Sequence, residues 1–376
     1  MGGVKMKVLH VTGKITPSKG QVMQLEGEIK AARDLKINWD TKIFCPKGSN
    51  VAGASVVFSK KVSTEDYKSF FQKVLIWSKF RKDFYSWLKT QEEFYDVILL
   101  RYNFHDPFQY LYLKNTKKPV YLIHHEMEVK LLKSEGGIIS ILRSFLEYVL
   151  GKLCLKHAHG AISVTEEISE YQKKRSNNIK LKTFVYPNGI DTDSMPIVNK
   201  IETIKPNLLF IAGIFAPWHG IDILLESISK SSDDFTLHLI GKLEAKYLKI
   251  AKNDKRIIIH GVINRNEIPK IASLCNIGID SLALYRSGLK YSSSLKTRDY
   301  LSMGLPVFSA CFDIFSSDFK FYKTSEPCIE NILKFANEMK KYTREEVKDA
   351  SIEFIDKKFI INNLYQFLKD GHNDRN

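Results

Sequence analysis

The sequence predicts an α/β protein made of two Rossmann-like, doubly wound domains with parallel sheets. Strand-like and helix-like segments alternate along the whole chain, which is the pattern of a parallel sheet covered by helices. The alternation restarts after Pro187, and 376 residues with 44% apolar side chains are enough for two domains of ordinary size. These proportions exclude a disordered chain and a collagen-like repeat.

The first half is predicted to form one domain over residues 1–187. Its first helix is QVMQLEGEIKAARDL, in which apolar residues recur at helical spacing. Short β-rich runs bounded by polar residues predict its strands, which are VKMKVLHV, TKIFC, YDVILLR, KPVYLIH, HGAISV and LKTFVYP.

The second half is predicted to form a domain over residues 188–355, followed by a C-terminal helix and tail over 356–376. Its predicted strands are PNLLFIAG, FTLHLIG, RIIIHG, NIGIDSL and LPVFSA. Its predicted helices are GIDILLESISK, EAKYLKIAK, NEIPKIASL and SLKTRDYLSMG. Only a few residues separate each helix from its strand, as in doubly wound folds.

The net charge of +15 lies mostly in the first half, because residues 1–200 hold 32 basic and 20 acidic side chains. This excess fits either lysines that only solvate helices or a face attracted to an anionic membrane, a nucleic acid or a phosphorylated substrate. The five cysteines lie far apart, without CxxC or nearby histidines. We therefore expect neither a disulfide framework nor a structural metal site, which suits a reducing compartment.

Two apolar runs bear on membrane association. The longest starts at Gly136 and carries Arg143, Glu147 and Lys152, so we expect no transmembrane helix. The run VLIWSKFRKDFYSWL, between Val74 and Leu88, interleaves aromatic and basic residues. It is either an interfacial helix on an anionic membrane or a helix whose aromatic residues pack in the core. The basic candidates for membrane contact are Lys60, Lys61, Lys79, Arg81 and Lys82.

The candidate functional residues of the first half lie in loops that follow strands, because open parallel sheets bind ligands beyond the carboxyl ends of their strands. The loop TGKITPSKG, with Gly13 and Gly20, matches neither GxGxxG nor a P-loop and gives no support to a dehydrogenase or an ATPase. His124 and His125 follow the strand KPVYLI. They are suited to hydrogen bonding and proton transfer, or else they satisfy local backbone groups.

Two loops of the second half suggest a nucleotide site. Gly213 ends a strand, and Trp218 and His219 precede the next helix. The first N–H groups of such a helix favour a phosphate. Trp218 is equally consistent with a packing residue between the two domains. In SGLKYSSSLKTRDYLSMG, serines at 292–294 are N-cap candidates, and Lys296 and Asp299 project from one side of the helix. A lysine that binds a diphosphate and a carboxylate that accepts hydrogen bonds from both ribose hydroxyls would together form a nucleotide-binding site. The alternative is an exposed helix that carries a Lys–Asp pair.

These motifs resemble a known family. VYPNGIDTD, G-x-x-x-x-W-H-G-I-D, HLIG, IIIHGVI and SSSLKTRDYLSMGLPV occur in the order found in glycosyltransferases of the GT-B fold, family 4. The chain is most similar to the bacterial enzymes that build capsule, O-antigen or other surface polysaccharides. The resemblance covers most of residues 185–312 and extends more faintly to LLRYN and LIHHEME in the first half.

The resemblance implies a retaining enzyme that moves a sugar from a nucleotide diphosphate sugar to an acceptor hydroxyl, with no metal and no cofactor. The two domains would face a cleft, with the acceptor on the first and the donor on the second. Acceptors of this class are often glycans carried on polyprenyl diphosphate, which favours a membrane-facing role for the basic first half. We accordingly expect a cytoplasmic protein at the inner face of the cell membrane, without a nucleic-acid partner.

The resemblance also assigns the site residues. Asp299 stands where the second glutamate of the family's E-x7-E motif binds the ribose, but Tyr291 replaces the first acid. His219 replaces the family's lysine before Gly220, so the phosphate charge falls on Lys296, with Arg286 or Arg298 as substitutes. A histidine at the place of His125 contacts the donor sugar, with His124 as the alternative. The implied catalytic residues are His125, Lys296 and Asp299; the donor-binding residues are Gly213, Trp218, His219, Gly241, Val262, Ser293, Ser294 and Leu295; and the acceptor-side residues are Gly20 and His124.

Two other functions stay open. A nucleotide-sugar epimerase has the same two-domain plan, but it needs acid–base residues around the sugar ring, where Tyr291 leaves a shortage of carboxylates. A catalytically degenerate sugar-nucleotide-binding or scaffold protein is favoured by Tyr291 and by the missing lysine before Gly220. The presence of Lys296 and Asp299 opposes it.

Overall fold

A computed structural model of the chain describes residues 6–373 apart from positions 18, 54, 67–69, 198 and 200. The chain divides into two compact units. The first runs up to Tyr186 and includes the residues from Ile360 onward, and the second spans Pro187–Phe359.

The first unit contains a parallel sheet of seven strands among its described residues. In sequence order they are β1 (Lys7–Gly13), β2 (Asn38–Lys47), β3 (Val56–Ser63), β4 (Val97–Arg101), β5 (Val120–His124), β6 (Gly160–Ser163) and β7 (Lys182–Val185). Their order in the sheet is β3-β2-β1-β4-β5-β6-β7. Leu9, Leu99 and Leu122 in the central strands are wholly buried, as expected for a parallel sheet covered on both faces.

Six helices connect these strands in the described part of the unit. They are α1 (Lys19–Asp34), α2 (Phe70–Gln91), α3 (Pro107–Asn115), α4 (Glu128–Ser134), α5 (Ile138–His157) and α6 (Glu166–Ser176). Local sequence sets the start of α3, where the side chain of Asp106 accepts from the N–H of Phe108 and Pro107 occupies the first helical position.

The second unit repeats this plan with six strands among its described residues. They are β8 (Asn207–Ile214), β9 (Thr236–Lys242), β10 (Ile257–Gly261), β11 (Ile277–Ile279), β12 (Val307–Ser309) and β13 (Tyr322–Thr324), in the sheet order β10-β9-β8-β11-β12-β13. All strand pairs are parallel. Its helices are α7 (Ile221–Lys230), α8 (Ala245–Lys252), α9 (Ile268–Ala272), α10 (Leu295–Ser302), α11 (Ile329–Met339) and α12 (Arg344–Ile355). The predicted α/β class with two Rossmann-like parallel sheets is thus confirmed.

The last helix, α13 (Lys357–Asn373), belongs mostly to the first unit. The sequence predicts a separate C-terminal segment over 356–376, but the residues from Ile360 onward group with the first unit. Ile361, Leu364 and Leu368 are buried there in one cluster with residues of β1, β4 and β5. The Tyr365 hydroxyl also donates to the carbonyl of Met6 at 3.0 Å. The final helix therefore completes the core of the unit that the chain builds first.

The aromatic and basic run between Val74 and Leu88 lies in α2 and packs largely inward. Phe80, Phe84 and Leu88 are wholly buried. Arg81, one of the candidates for membrane contact, is also buried, and its Nε donates to Asp106 at 2.7 Å. The structure therefore favours the core alternative for the aromatic residues of this run, while Lys60, Lys61, Lys79 and Lys82 are exposed. Among the described residues, no helix combines the length and apolarity needed to cross a bilayer.

Candidate active site

In each sheet, the strand order reverses direction at the first strand, so that strands which follow it in the sequence lie on both sides of it. In the first unit, β2 and β3 lie on one side of β1 and β4 on the other; in the second, β9 and β10 lie on one side of β8 and β11 on the other. Such switch points open a crevice at the carboxyl ends of the strands, where ligands of doubly wound sheets bind. The loops after β1, β4 and β5, and those after β8 and β11, therefore form the candidate site of each unit.

In the second unit, the loops after β8 and β11 are held together through their backbones. The N–H of Leu282 donates to the carbonyl of His219 at 3.1 Å. Gly220 has a φ of +72°, and a Cβ at this position would lie 2.8 Å from the Cβ of Leu282. Glycine is required here by both the conformation and the close approach of the two loops.

The start of α7, where the sequence predicts a bound phosphate, already holds a pair of oppositely charged side chains. Asp222 lies in the first turn of α7 and accepts from both terminal nitrogens of Arg286, at 2.9 and 2.8 Å. A carboxylate at this end of the helix opposes a bound anion. Arg286 pairs with that carboxylate through both terminal nitrogens, and its Nη1 also donates to the carbonyl of Pro217 at 2.9 Å. Trp218, which precedes the helix, is 44% exposed and is not a buried packing residue.

His219 is a neutral hydrogen-bond donor at this switch point. Its Nδ1 accepts from the N–H of Ala216 at 2.9 Å. Burial, followed by the charge of Lys296, lowers the pKa of His219 to about 4. The neutral ring therefore carries its proton on Nε2. The Nε2–H of His219 is thus a neutral donor beside the start of α7.

The start of α10 brings Lys296 onto a carboxylate that the sequence analysis did not single out. Asp280 directly follows β11 and is wholly buried. Its Oδ1 lies 3.1 Å from Lys296 Nζ and accepts from Ser294 Oγ at 2.9 Å. Ser294 is also the predicted N-cap of α10, accepting from the N–H of Thr297 at 3.3 Å. The Lys296 side chain, 12% exposed, is thereby held beside the switch point.

The Lys296–Asp280 pair retains hydrogen-bonding capacity for a ligand. Among the described residues, Lys296 Nζ and Asp280 Oδ2 are buried and make no hydrogen bond of good geometry. An ammonium group has three N–H donors, and one carboxylate oxygen at ion-pair distance leaves most of them available.

Asp299 is partly buried and has a charged partner of its own. Its side chain is 17% exposed and forms an ion pair with Arg265. Burial raises the pKa of Asp299 to about 6, an effect that the Arg265 charge opposes. Lys296 and Asp299 thus have different charged partners, so the alternative of an exposed helix with a Lys–Asp pair does not describe them.

Arg298 is a core residue and cannot substitute for Lys296. It is wholly buried, its guanidinium is paired with Asp313, and its Nε donates to the carbonyl of Asn188 at 3.0 Å. Asn188 in turn donates from Nδ2 to the carbonyl of Ser293 at 2.6 Å, and its N–H donates to Ser293 Oγ at 2.8 Å. The YPNGI segment and Ser293 therefore help to fix the serine loop that precedes α10.

The other predicted donor-binding residues have different environments. Gly213, near the end of β8, has open space where a Cβ would stand, and Val262, after β10, is 75% exposed. Gly241 has a φ of +126°, and a Cβ there would lie 1.5 Å from the carbonyl oxygen of Ala212. Close packing of neighbouring strands therefore accounts for Gly241 without a ligand. Leu295 is the first residue of α10.

Tyr291 replaces the first acid with an aromatic group that already has a contact. Its ring lies 5.3 Å from that of Phe312, and the two backbones form an isolated parallel bridge. Tyr291 is 37% exposed. The position supplies an aromatic hydroxyl in place of the carboxylate that the family pattern has there.

The first unit has a cavity of about 360 Å³ at its switch point. Its lining includes Lys14 after β1, Arg101 at the end of β4, and His125 and Glu126 after β5. Among the described residues, the side chains of Lys14 and Arg101 have neither a hydrogen bond nor a close ion pair. Burial lowers the pKa of both cations, that of Lys14 to about 8. The cavity therefore presents two cationic side chains, of which Arg101 interacts electrostatically with Glu126 in the same lining.

Two further groups of this cavity are suited to proton transfer or hydrogen bonding. Burial, with the charge of Glu128, raises the pKa of Glu126 to about 7. Burial and the charge of Arg101 hold the pKa of His125 well below its usual value, so its ring is neutral. His125 therefore lines the cavity at the carboxyl end of β5 as a neutral ring.

The other predicted residues of the first unit lie elsewhere. His124 is wholly buried, stacks on Tyr102 at 4.5 Å between ring centres, and has Nδ1 2.5 Å from Glu128 Oε1. It orients Glu128 and does not line the cavity, so the structure does not support an acceptor contact by His124. Gly20 lies in the first turn of α1 and is exposed.

The sequence analysis missed Lys14, Arg101, Glu126 and Asp280 as candidate residues. Arg101 ends the predicted strand YDVILLR, Lys14 and Glu126 follow the strands VKMKVLHV and KPVYLIH within three residues, and Asp280 lies near the end of NIGIDSL. Because ligands bind at these strand ends, a charged residue at the end of a buried apolar run is the signal that would have found them.

Comparisons with known proteins support the fold. No protein-family model and no curated protein matches the chain. Among solved structures, the chain is similar to the lipopolysaccharide outer core galactosyltransferase WaaB, with a TM-score of 0.63 and 14% sequence identity. The match covers 96% of this chain and 99% of that chain. It is also similar to HepE of Anabaena in complex with UDP-glucose, with 15% identity, 97% and 100% covered, and a TM-score of 0.63.

A third solved structure shows that the fold is shared more widely. It is a putative UDP-N-acetylglucosamine 2-epimerase from Listeria monocytogenes, with 12% identity, 98% of this chain and 97% of that chain covered, and a TM-score of 0.56. The chain therefore has the two-unit GT-B fold of these proteins. Because transferases and an epimerase share it, the reaction must be argued from the site residues.

Proposed function

We propose that the protein is a retaining glycosyltransferase that moves a sugar from a nucleotide diphosphate sugar to an acceptor hydroxyl in bacterial surface polysaccharide synthesis. The observation that carries the proposal is the Lys296–Asp280 ion pair beside neutral His219, at the switch point of the second unit. It supports donor binding because an anchored cation and a neutral donor at this position suit a diphosphate.

The donor chemistry follows from where charge develops. Breaking the bond between the sugar and the phosphate loads negative charge on the departing diphosphate. Lys296 is held in place by Asp280 before the donor arrives, so little reorganisation is needed to stabilise that charge. His219 adds a hydrogen bond from Nε2. With this positive charge supplied by the protein, we propose that transfer needs no metal ion.

Retention requires the acceptor to approach the face that the diphosphate leaves. We propose that the leaving phosphate itself accepts the proton of the acceptor hydroxyl, so that no carboxylate nucleophile is required. His125 would hold a hydroxyl of the donor sugar through a neutral ring, and Asp299 would accept hydrogen bonds from the ribose.

The cavity of the first unit is proposed as the acceptor site. Lys14 and Arg101 place two cationic side chains there, which supports an acceptor with an anionic group, such as a glycan linked to polyprenyl diphosphate. Such an acceptor would place the enzyme at the inner face of the cell membrane.

A nucleotide-binding protein without transferase activity is the second candidate. Tyr291 favours it, because the position of the first acid carries no carboxylate. The pairing of Asp299 with Arg265 also favours it, since a ribose must compete with that ion pair.

The proposal is tested first by ligand binding and then by turnover. A ligand that binds only the folded state raises the melting temperature, so UDP, GDP, CDP and ADP are compared by thermal shift. We expect one base to give the largest shift. The corresponding nucleotide sugars are then incubated with the protein, and free nucleoside diphosphate is measured. A shift without any diphosphate release would favour the binding protein, and no shift with any nucleotide would contradict the proposed donor site.

A further inference from the structure

Helix α5 presents an apolar face to solvent. Eight large apolar side chains within residues 138–149 are between 39% and 78% exposed. We call them the α5 face, and they are Ile138, Ile139, Ile141, Leu142, Phe145, Leu146, Tyr148 and Val149. The segment is about 18 Å long at 1.5 Å per residue. A contiguous apolar surface of this kind on a folded protein marks an interaction site.

The opposite side of α5 faces the core and carries small or polar residues. Ser140, Ser144, Glu147, Gly151 and Cys154 are buried, at the spacings of three and four that define one side of a helix. In the usual amphipathic helix, the apolar stripe packs on the core instead. The polarity of α5 is therefore inverted over this segment.

Specific contacts fix this orientation. Buried Glu147 accepts from the hydroxyl of Tyr102 at 2.6 Å and is paired with Arg175. The Arg175 guanidinium also meets Glu128 at 3.0 Å and lies against Gly151, where a Cβ would collide with it. Rotating α5 to bury its apolar face would take Glu147 away from both Tyr102 and Arg175. The outward apolar face is thus built into the unit.

The charges around the α5 face indicate what covers it. The exposed basic residues of α4 and α5 are Lys130, Lys133, Lys152 and Lys156, and Arg143 lies within the face. Glu135 is the one exposed acidic residue from 128 to 157, and it is paired with Arg143 at 2.7 Å. A second copy of the chain would bring basic residues against basic residues, which opposes self-association through this face. An anionic surface attracts them.

We propose that the α5 face is a docking surface for an anionic lipid bilayer. Its apolar side chains enter the boundary between headgroups and acyl chains, and the surrounding lysines contact anionic headgroups. Tyr148 is of the aromatic type enriched at membrane interfaces, and phenylalanines such as Phe145 are common on the apolar face of interfacial helices. The surface differs from the α2 run that the sequence suggests, because the aromatic residues of α2 are in the core.

Docking by the α5 face would also deepen the proposed function, although the surface does not depend on it. Helix α4 packs against α5, and Leu131 of α4 lines the cavity of the first unit. A bilayer on the α5 face would therefore lie close to the cavity proposed for a lipid-linked acceptor.

The test is co-sedimentation of the full chain with vesicles. Vesicles of phosphatidylcholine alone are compared with vesicles that also contain the anionic lipid phosphatidylglycerol, whose surface potential attracts lysines. We expect the wild-type protein to bind the anionic vesicles. The variant Leu142→Ser/Phe145→Ser should bind them at least about tenfold more weakly, because two apolar side chains no longer enter the bilayer.

The matched control is Val74→Ser/Leu75→Ser, which removes two exposed apolar side chains from α2 and should bind like the wild type. Thermal melting checks that both variants are folded. Equal vesicle binding by the α5 variant and the wild type would overturn the proposal, as would equal binding to neutral and anionic vesicles. A dimer without lipid that the α5 variant dissociates would assign the face to a second copy instead. Hydrolysis of a soluble nucleotide sugar should be unchanged in the α5 variant, so loss of vesicle binding and loss of transferase function are distinguishable.

Discussion

Replacing Lys296 by methionine removes the charge proposed to bind the diphosphate while keeping the length of the side chain. The change leaves the carboxylate of Asp280 wholly buried without its ion-pair partner, with Ser294 still donating to it. Removing one partner of a buried ion pair costs about 3–5 kcal/mol. Because the Lys296 side chain is 12% exposed, we expect the lower end of that range. A loss of about 3 kcal/mol lowers the melting temperature of a unit of this size by roughly 6–12 °C.

The double variant Lys296→Met/Asp280→Asn separates folding from binding. Asparagine at 280 removes the uncompensated charge, so the double variant should recover most of the stability that the single variant loses. Its diphosphate site nevertheless lacks the cation. A charge-assisted hydrogen bond contributes about 1.5–3 kcal/mol, so we expect roughly ten- to hundredfold weaker binding of the nucleoside diphosphate. Affinity for the nucleoside alone should change little.

Calorimetric titration of the wild type and both variants with the nucleoside and its diphosphate measures these differences. Wild-type diphosphate affinity in the double variant would show that another group holds the phosphates. An equal loss for nucleoside and diphosphate would show that the whole site has rearranged. Either result would refute the role proposed for Lys296.

Three further predictions use other residues. Asp299→Asn should weaken nucleotide binding about ten- to hundredfold. Because burial raises the pKa of Asp299 to about 6, the affinity of the wild type should fall below that pH, where the carboxylate gains a proton. Calorimetry between pH 5 and 8 should show no such fall for the variant. Arg298→Met should lower the free energy of unfolding by about 3–5 kcal/mol in urea, since it leaves buried Asp313 unpaired, and an unchanged denaturation midpoint would contradict the core role of Arg298. Arg101→Gln should raise the KM for a polyprenyl-diphosphate-linked acceptor about tenfold without changing donor hydrolysis, and a change in hydrolysis alone would move Arg101 to the donor.

Much of the fold could be predicted because buried parallel strands appear in a sequence as short, continuous apolar runs. The runs that contain Leu9, Leu99 and Leu209 each form a strand whose core residue is wholly buried. Strand β3 was not predicted, because VVFSKKVS is half polar and partly exposed. The place of α13 could not be predicted either, since it depends on contacts of Ile361 and Leu364 with strands more than two hundred residues earlier in the chain.

The candidate site was predicted less completely, because the sequence does not show which charges are paired. Lys296 and Arg298 lie two positions apart, which at about 100° per residue places them on nearly opposite sides of α10. One faces the switch point and the other is locked in the core with Asp313. The pairing of Asp280 with Lys296 depends on the loop after β11 lying beside the start of α10, which the sequence does not show.

The most direct test of the proposed transferase is release of nucleoside diphosphate from a panel of nucleotide sugars, with the anomeric configuration of the product followed by NMR. The folded double variant Lys296→Met/Asp280→Asn is the control for contaminating hydrolases. We predict that the wild type turns over one donor with retention, and that the double variant is about a hundredfold slower or more, since it has lost a preorganised group for the leaving charge. Absence of release with every donor, an inverted product, or an equal rate in the double variant would contradict the account.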